Sequence, residues 1–319
     1  MARYILKRIL IMIPILLVVI ILIFTITHFM PGDPVRSLLG PNYTETQYVE
    51  TMDRLGLDRP FFVQLFEYIK NLILHQDFGI SYSSSRDIIT ELAPRIGISV
   101  KIGLLSCLLT TVISIPLGII SAVKQNSILD YIVSFFSVLA AALPNFWVAL
   151  MGIILFCIHL GWLPASAQGT GWMGYILPVV CNGTLSLAIT TRQMRSSMLD
   201  VVQQDYIRTA RAKGLSSTQT IVRHALKNAL LPVLAVLGTQ FSMIVGGSVV
   251  IESIFSVPGM GNYLVTGING RNYNVVLAVT IIISAFSMLI ILLVDIVFSL
   301  IDPRVKAQFA GKKRKSAKK

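Results

Sequence analysis

The sequence predicts an all-α integral membrane protein with six transmembrane helices. Of its 319 residues, 54% are hydrophobic and only 13% are charged, and the mean hydropathy is +0.74. This composition is unlike that of soluble or disordered chains. Six separate segments are apolar enough to cross a bilayer core about 30 Å thick, which takes about 20 helical residues each.

The six segments are spread along the whole chain, approximately at 9–29, 98–123, 131–159, 174–191, 229–251 and 275–301. The first follows basic residues, as a secretory signal would. Its apolar run is longer than a signal core and lacks a small-x-small site afterwards, so we interpret it as a retained anchor. The third contains Pro144, so we expect a kink there, or a helix that ends before His159.

Basic residues in the short loops predict the orientation of the chain. With the N-terminus in the cytoplasm, 19 of the 27 Lys and Arg residues fall on the cytoplasmic side. We therefore expect a protein of a bacterial or archaeal cytoplasmic membrane with both termini in the cytoplasm. This divides the chain into an anchor (1–30), an extracytoplasmic loop (31–97), a transmembrane core (98–302) with a cytoplasmic loop at 192–228, and a basic tail (303–319).

The formal charge of +12 raises the question of nucleic acid binding. The basic run 312–319 follows a membrane span, so it faces anionic lipid headgroups, where each basic residue contributes about 1 kcal/mol. We interpret the tail as an anchor of topology at the lipid surface and expect no nucleic acid partner.

The extracytoplasmic loop is too long to be a simple connection. Apolar residues recur at helical spacing in its second half, and they predict an amphipathic helix that lies on the membrane face or packs on the spans. These residues are Phe61, Phe62, Leu65, Phe66, Ile69, Leu72 and Ile73.

The cytoplasmic loop at 192–228 contains a pattern of two short helices joined at a glycine. The stretch 205–213 favours helix and stops at Gly214, and Ser216 with Gln219 forms a capping box for the next helix. A basic loop of this kind can be a solvated connector. Against this, the apolar sides of both helices need something to cover them, and a plain connector would have no use for a capped turn.

At these residues the sequence resembles the permeases of binding-protein-dependent ABC importers in the dipeptide/oligopeptide/nickel group. The family pattern Glu-Ala-Ala-x3-Gly-x9-Ile-x-Leu-Pro is present here as Arg208-Thr209-Ala210, Gly214 and His224-Ala225-Leu226-Lys227. The glycine spacing is kept, whereas Arg208, Thr209, His224 and Lys227 depart from it. The version is similar to that of the B-type subunit of dipeptide and oligopeptide permeases.

Further landmarks of that family follow in order along nearly the whole chain. They are Pro31-Gly32-Asp33-Pro34, Asp77-Phe78-Gly79-Ile80-Ser81, Leu143-Pro144-Asn145-Phe146-Trp147, Gly247-Ser248-Val249-Val250-Ile251-Glu252, Pro258-Gly259-Met260-Gly261 and Asp302-Pro303-Arg304.

The resemblance implies a type I importer permease fold (MetI-like) and a non-catalytic subunit. It implies that this chain forms half of a pathway for di- or oligopeptides, with nickel chelates or glutathione as alternative cargo. The implied partners are an unlike second permease, two ATP-binding subunits that hold ATP and Mg, and an extracytoplasmic binding protein. The implied coupling residues are Asp205, Tyr206, Arg208, Thr209, Ala210, Arg211, Ala212, Lys213, Gly214, Leu215, Ser216 and His224.

A second candidate site follows the fifth span. Glu252, Pro258, Gly259 and Gly261 form either a re-entrant turn with a capping carboxylate, or a gate or a contact for the binding protein next to the outer mouth of the pathway. Asp295 and Lys101 are ionisable residues inside predicted spans, so structural and gating roles are both open for them.

Other functional classes fit the sequence less well. A secondary transporter would show repeated halves and several midplane acids, but this sequence has no evident repeat and only Asp295 deep in a predicted span. A channel would show a polar stripe or a filter loop, and none stands out in the sequence. The chain lacks a G-x-x-x-x-G-K-[ST] loop, so no nucleotide site is expected in it. The three cysteines lie in apolar runs and the four histidines have no partner at metal-ligand spacing, so we expect no metal, cofactor or catalytic site.

Overall fold

The computed structural model of the protein describes residues 2–30 and 32–301, so Pro31, the Asp302-Pro303-Arg304 landmark and the basic tail lie outside the described residues. Helices joined by turns make up the structure, with one isolated bridge between Ile80 and Asp87. The helices are α1 (Ala2–His28), α2 (Pro34–Leu39), α3 (Glu45–Arg54), α4 (Phe61–His75), α5 (Ile88–Val123), α6 (Ile128–Ala142), α7 (Asn145–Gly152), α8 (Ile176–Val202), α9 (Asp205–Ala212), α10 (Ser217–Thr220), α11 (Leu226–Ile254), α12 (Met260–Asn269) and α13 (Tyr273–Ile301).

The predicted membrane helices are confirmed. Among the described residues, five stretches are long and apolar enough to cross a bilayer, namely Ile5–His28, Ile88–Val123, Gly171–Val202, Ser217–Ile244 and Tyr273–Val297. The bent pair α6 and α7, with its continuation to His159, supplies a sixth crossing when it is counted as one span.

The kink expected at Pro144 is present as a bend of 105° between α6 and α7. Proline has no backbone N–H and its ring disfavours helical geometry in the residue before it. Leu143 accordingly has extended backbone angles, and α7 begins directly after Pro144. A π-helical turn, Ile153–His159, then follows α7.

Several helices extend beyond the predicted spans. α5 begins at Ile88 rather than near 98, and α8 continues to Val202 rather than ending near 191, so Arg192 and Arg195 lie on a helix and not in a loop. The second short helix expected after Gly214 is also not separate. α10 passes through a π-helical turn, Ile221–Ala225, directly into α11.

The chain forms two compact units. The first consists of Met1–Lys101, Ser166–Gly169 and Ser248–Met288. The amphipathic helix expected in this part is confirmed as α4. The unit has an apolar core contributed by α5, α12 and α13, with the buried residues Ile88, Leu92, Met260, Tyr263, Val275, Ala278 and Val279.

Polar contacts fix the connecting segments of the first unit. Asn272 donates through Nδ2 to Ser81 Oγ at 2.8 Å and accepts at Oδ1 from the Tyr82 amide at 3.3 Å. Burial raises the pKa of the Tyr82 hydroxyl, which donates to Asn274 at 3.2 Å. The loop before α5 is thereby tied to the start of α13.

The second unit consists of Ile102–Ala165, Thr170–Gly247 and the described residues 289–301. Within it, α5 and α8 pack closely through small residues, as is common for helices in membranes. A Cβ added to Gly118 would overlap the side chain of Met194, and Ser106 Oγ donates to the Val179 carbonyl at 2.9 Å. Asp295 lies half-buried on α13 in this unit.

Candidate coupling interface

The candidate coupling segment, residues 203–225, connects two long helices of the second unit. α9 starts with Asp205, whose negative charge is favourable at a helix N-terminus. Thr209 Oγ1 donates back to the Asp205 carbonyl at 3.0 Å. The helix ends at Ala212, and Lys213 follows as its C-cap.

The inner side of α9 is buried against its own chain. Ile207 and Ala210, three residues apart, are 0% and 6% exposed. Ile207 packs in an apolar cluster with Met194 and Met198 of α8, with Ala225 of the π-helical turn and with Ala229 of α11. Burying a side chain of this size stabilises its position by about 1.5–3 kcal/mol.

The structure shows what covers the apolar side of α9. That side needs no partner, because α8 and α11 already cover it. Ala210, which the resemblance implies as a coupling residue, faces inward and is almost fully buried, and its part in coupling stays a prediction. Sequence periodicity identifies an apolar face without showing which surface it contacts.

The turn after α9 has the features that the sequence predicts. Gly214 has a φ of 85°, a conformation that glycine adopts without steric cost, and an added Cβ would have nothing within 4 Å. Ser216 and Gln219 form the expected capping box: Ser216 Oγ accepts from the Gln219 amide, and Gln219 Oε1 accepts from the Ser216 amide, each at 3.3 Å.

The outer side of the segment is polar and basic. Arg208, Arg211 and Lys213 are exposed, as is Arg223 in the π-helical turn. Tyr206 is 43% exposed, and its hydroxyl accepts a hydrogen bond from Asn228 Nδ2 at 3.0 Å, which links α9 to α11. Of the other predicted residues, Asp205, Thr209, Ala212, Gly214 and Ser216 are exposed, and Leu215 and His224 are half-buried.

A buried ion pair lies in the same unit, on the helix that leads into the coupling segment. Arg195 of α8 donates from Nε and Nη2 to the two carboxylate oxygens of Asp130 at 2.7 and 2.8 Å. The Asp130 carboxylate also accepts from Ser121 Oγ and from the Asn126 amide. The Asp130 side chain is only 4% exposed, so four donors compensate a carboxylate removed from solvent.

The second candidate site lies in the first unit and has different geometry. Glu252 is 0% exposed, and its Oε2 accepts from the amides of Gly261 and Asn262, at 2.7 and 3.3 Å. Its Oε1 accepts from Ser248 Oγ at 2.8 Å. The carboxylate thus caps the N-terminus of α12, where an anion is favourable.

The other residues predicted at this site allow the chain to pack closely around the Glu252 cap. Gly259 and Gly261 are buried and Pro258 is half-buried. A Cβ on Gly259 would overlap the Glu252 carboxylate, and one on Gly261 would overlap the backbone of Val249. The described geometry is that of a buried cap, and a gating role or a contact with a binding protein stays a prediction.

Comparison with known proteins decides the family. Residues 114–307 match the family described as "Binding-protein-dependent transport system inner membrane component", and residues 1–101 match the N-terminal region of such membrane components. The chain belongs to this family of inner membrane transport components. It is a multi-pass membrane protein of a transport complex that has other components.

Individual relatives cover nearly all of this permease. It is 37% identical to "Dipeptide transport system permease protein DppB" of Alkalihalophilus pseudofirmus, over 96% of this chain and 100% of the relative. It is 36% identical to "Glutathione transport system permease protein GsiC" of Escherichia coli K12, over 96% and 99% of the two chains. A crystal structure of an amino acid ABC transporter with histidines shares the fold, with 16% identity, a TM-score of 0.50, and coverage of 67% of this chain and 94% of that one.

Sequence reasoning about this permease missed the Asp130–Arg195 pair. The two residues are 65 positions apart, and Arg195 was assigned only to the excess of positive charge in the loop. One local signal was available: Ser127 caps α6, which places Asp130 in the first turn of an apolar helix. Ser99, whose hydroxyl accepts from the Met260 amide at 2.8 Å, gave no local signal.

Proposed function

We propose that this permease forms one half of a membrane pathway through which an ATP-driven complex imports short peptides. The family and the DppB relative support the class of transporter and of cargo. The observation that carries the proposal is the coupling segment, where a basic exposed surface is mounted on a buried apolar base. Glutathione is itself a tripeptide, and the nearly equal identity to the GsiC relative keeps it as a second candidate cargo.

The proposal assigns ATP hydrolysis to other subunits. Two ATP-binding subunits hold ATP and Mg, and one of them docks on the exposed side of α9, where Arg208, Arg211 and Lys213 face its carboxylates. Such pairs at the rim of an interface mainly guide association and orientation. An unlike permease completes the pathway, and an extracytoplasmic binding protein delivers the peptide. Both termini of this chain lie in the cytoplasm, and the chain itself is not catalytic.

The buried base explains how a movement of the ATP-binding subunits would reach the membrane helices. Packed interfaces change between discrete arrangements and do not deform continuously. Ile207 is fully buried between α8 and α11, and the Tyr206–Asn228 hydrogen bond joins α9 to α11 on the outer side. A displacement of α9 therefore carries the adjoining ends of both membrane helices with it.

Charge reversal tests the docking surface. In the complete complex, reconstituted in proteoliposomes, we expect Arg208→Glu to leave membrane insertion intact and to lower peptide uptake per ATP hydrolysed. Lys124→Glu is the matched control, because Lys124 is exposed in the turn between α5 and α6 and undergoes the same change of charge. Uptake per ATP that is unchanged by Arg208→Glu, or equally lowered by Lys124→Glu, would contradict the proposal.

Crosslinking tests the partner directly. A cysteine at Thr209, exposed on α9, should form crosslinks to an ATP-binding subunit in native membranes. A cysteine at Thr266, exposed on α12, should not. Competition between dipeptides and glutathione for uptake then distinguishes the two candidate cargoes.

A further inference from the structure

Helix α4 in the first unit has one apolar side that its own chain covers and another that it leaves open. The covered side packs on α1, where Phe24 contacts Phe61 and Tyr68 at ring-centroid distances of 5.7 and 5.9 Å. The open side is a stripe of Phe62, Phe66 and Ile73, which are 79%, 68% and 65% exposed. At 100° per residue these three side chains point within about 40° of one another.

The position of α4 along α1 places this stripe at a definite depth. The membrane-crossing stretch of α1, Ile5–His28, has 24 residues and is about 36 Å long, somewhat more than the hydrocarbon core of a bilayer. Phe24 and His28, which contact Phe61, form the last turn of α1. α4 therefore crosses α1 at the level where hydrocarbon gives way to headgroups.

The stripe continues an apolar surface that already faces lipid. Along α1, Leu22 and Ile26 are 51% and 52% exposed, and Phe29 beyond its end is 71% exposed. The ring of Phe29 stacks on Phe61 at 5.8 Å, and Phe61 contacts Phe62 at 5.2 Å. A row of aromatic rings thus runs from the end of the membrane helix to the open side of α4.

The charges on α4 agree with an interfacial position. Lys70 is exposed beside the stripe, where its long side chain can extend to lipid phosphates. Glu67, about 100–140° away from the stripe, forms an ion pair with Arg59 at 2.6 Å, and both side chains are nearly half exposed. The helix therefore has one side on α1, an open apolar side that Val63 and Leu74 extend toward Glu67, and a polar side at Glu67 and Asn71.

We propose that the stripe of Phe62, Phe66 and Ile73 binds the lipid leaflet at the His28 end of α1. Aromatic rings at headgroup depth, a flanking lysine and a separate charged side are the features of helices that lie in the membrane interface. In this position α4 holds the polar connection between α1 and α5 against the bilayer surface. Its lipid contact adds to that of the spans and does not depend on the cargo or on the docking of ATP-binding subunits.

Nitroxide labels test the proposal in the complex purified through this chain and embedded in lipid nanodiscs. Cys107, Cys157 and Cys181 are replaced by Ala, and single cysteines at Phe66 or Ile73 are labelled. We measure how often each label collides with oxygen, which partitions into lipid, and with a water-soluble nickel chelate. At Phe66 and Ile73 we expect the ratio of oxygen collisions to nickel-chelate collisions to be above one. Asn71, exposed on the polar side of the same helix, is the matched control and should give a ratio below one.

Two results would overturn the proposal. A ratio below one at Phe66 and Ile73 would place the stripe in water. Protection from both reagents at these positions would show that a protein, such as the second permease or the binding protein, covers the stripe. If the cysteine-free chain does not fold, Phe66→Trp in the otherwise unchanged chain gives the same information, since lipids with brominated acyl chains should quench it more strongly than Asn71→Trp.

Discussion

Asn in place of Asp130 should destabilise this permease more than any exposed charge substitution on the same helices. The carboxylate is 4% exposed and receives two charge-assisted bonds from Arg195 at 2.7 and 2.8 Å, in addition to Ser121 and the Asn126 amide. Asn has nearly the same size, so the packing is kept while the negative charge is lost.

The expected magnitude follows from the two bonds to Arg195. Hydrogen bonds to charged groups contribute about 1.5–3 kcal/mol each, and removing one member of a buried pair costs about 3–5 kcal/mol. Arg195 is 29% exposed and regains some hydration, so the lower end applies. We expect Asp130→Asn to cost about 3 kcal/mol, which is about a hundredfold in the unfolding equilibrium constant.

Unfolding by sodium dodecyl sulfate in mixed micelles, followed by circular dichroism, measures this change. We expect Arg195→Met to cost a similar amount, and the double variant to cost about 2 kcal/mol less than the sum of the two. Arg192→Met is the matched control, because Arg192 lies one turn earlier on α8 and is exposed, so its effect should stay within about 0.5 kcal/mol. Additive effects of Asp130→Asn and Arg195→Met would refute the reasoning, as would an equal loss from Arg192→Met.

Three other predictions concern the coupling turn, the α12 cap and the first connecting region. Gly214→Ala should lower the free energy of unfolding by about 1 kcal/mol because of the left-handed backbone, but it should keep uptake coupled to ATP hydrolysis. Gly214→Trp should uncouple uptake from ATP hydrolysis, because the large side chain would collide with a docked partner. Equal coupling in the two variants would contradict a docking role for this turn. Glu252→Gln should cost about 1–2 kcal/mol in the same unfolding titration, and Gly261→Ala should cost more because its Cβ overlaps the Val249 backbone. A Glu252→Gln variant as stable as the parent chain would contradict the cap. Burial alone would raise the pKa of Asp33, but hydrogen bonds from the Arg36 amide, the Tyr48 hydroxyl and the Val35 amide, with the Arg36 charge, lower it from 3.8. The contribution of Asp33 to stability is therefore fully present above the pKa of its unfolded state and is lost as the pH falls through the pKa of its folded state. Hydrogen exchange of the α2 amides, corrected for its intrinsic pH dependence, should become faster below about pH 4. Asp33→Asn should abolish that change.

The membrane crossings were predictable because their signal is local. A run of about 20 apolar residues determines a span wherever the rest of the chain lies, since an open backbone cannot be satisfied in hydrocarbon. Pro144 likewise predicts a kink from its own chemistry, and Gly214 and the Ser216 capping box mark the turn in the coupling segment.

The helix ends were less predictable because packing sets them. α8 continues past the apolar run at 174–191 since Met194 and Met198 are fully buried and Arg195 is paired. From the sequence alone, the polar residues at these positions could not be distinguished from those of a loop. The angle of the bend at Pro144, 105°, could also not be predicted from the local sequence.

The sequence by itself thus determined that this chain is a membrane protein, which segments are apolar enough to cross the bilayer, and where the turn at Gly214 lies. Only the tertiary structure decided that Asp130 pairs with Arg195, that Glu252 caps α12, and that the apolar side of α9 faces its own chain. Hydrophobic length and turn chemistry act within a few residues, so they can be read along the chain. The pairing of a buried charge or an apolar face depends on which distant segments meet it, and that is fixed only when the helices pack.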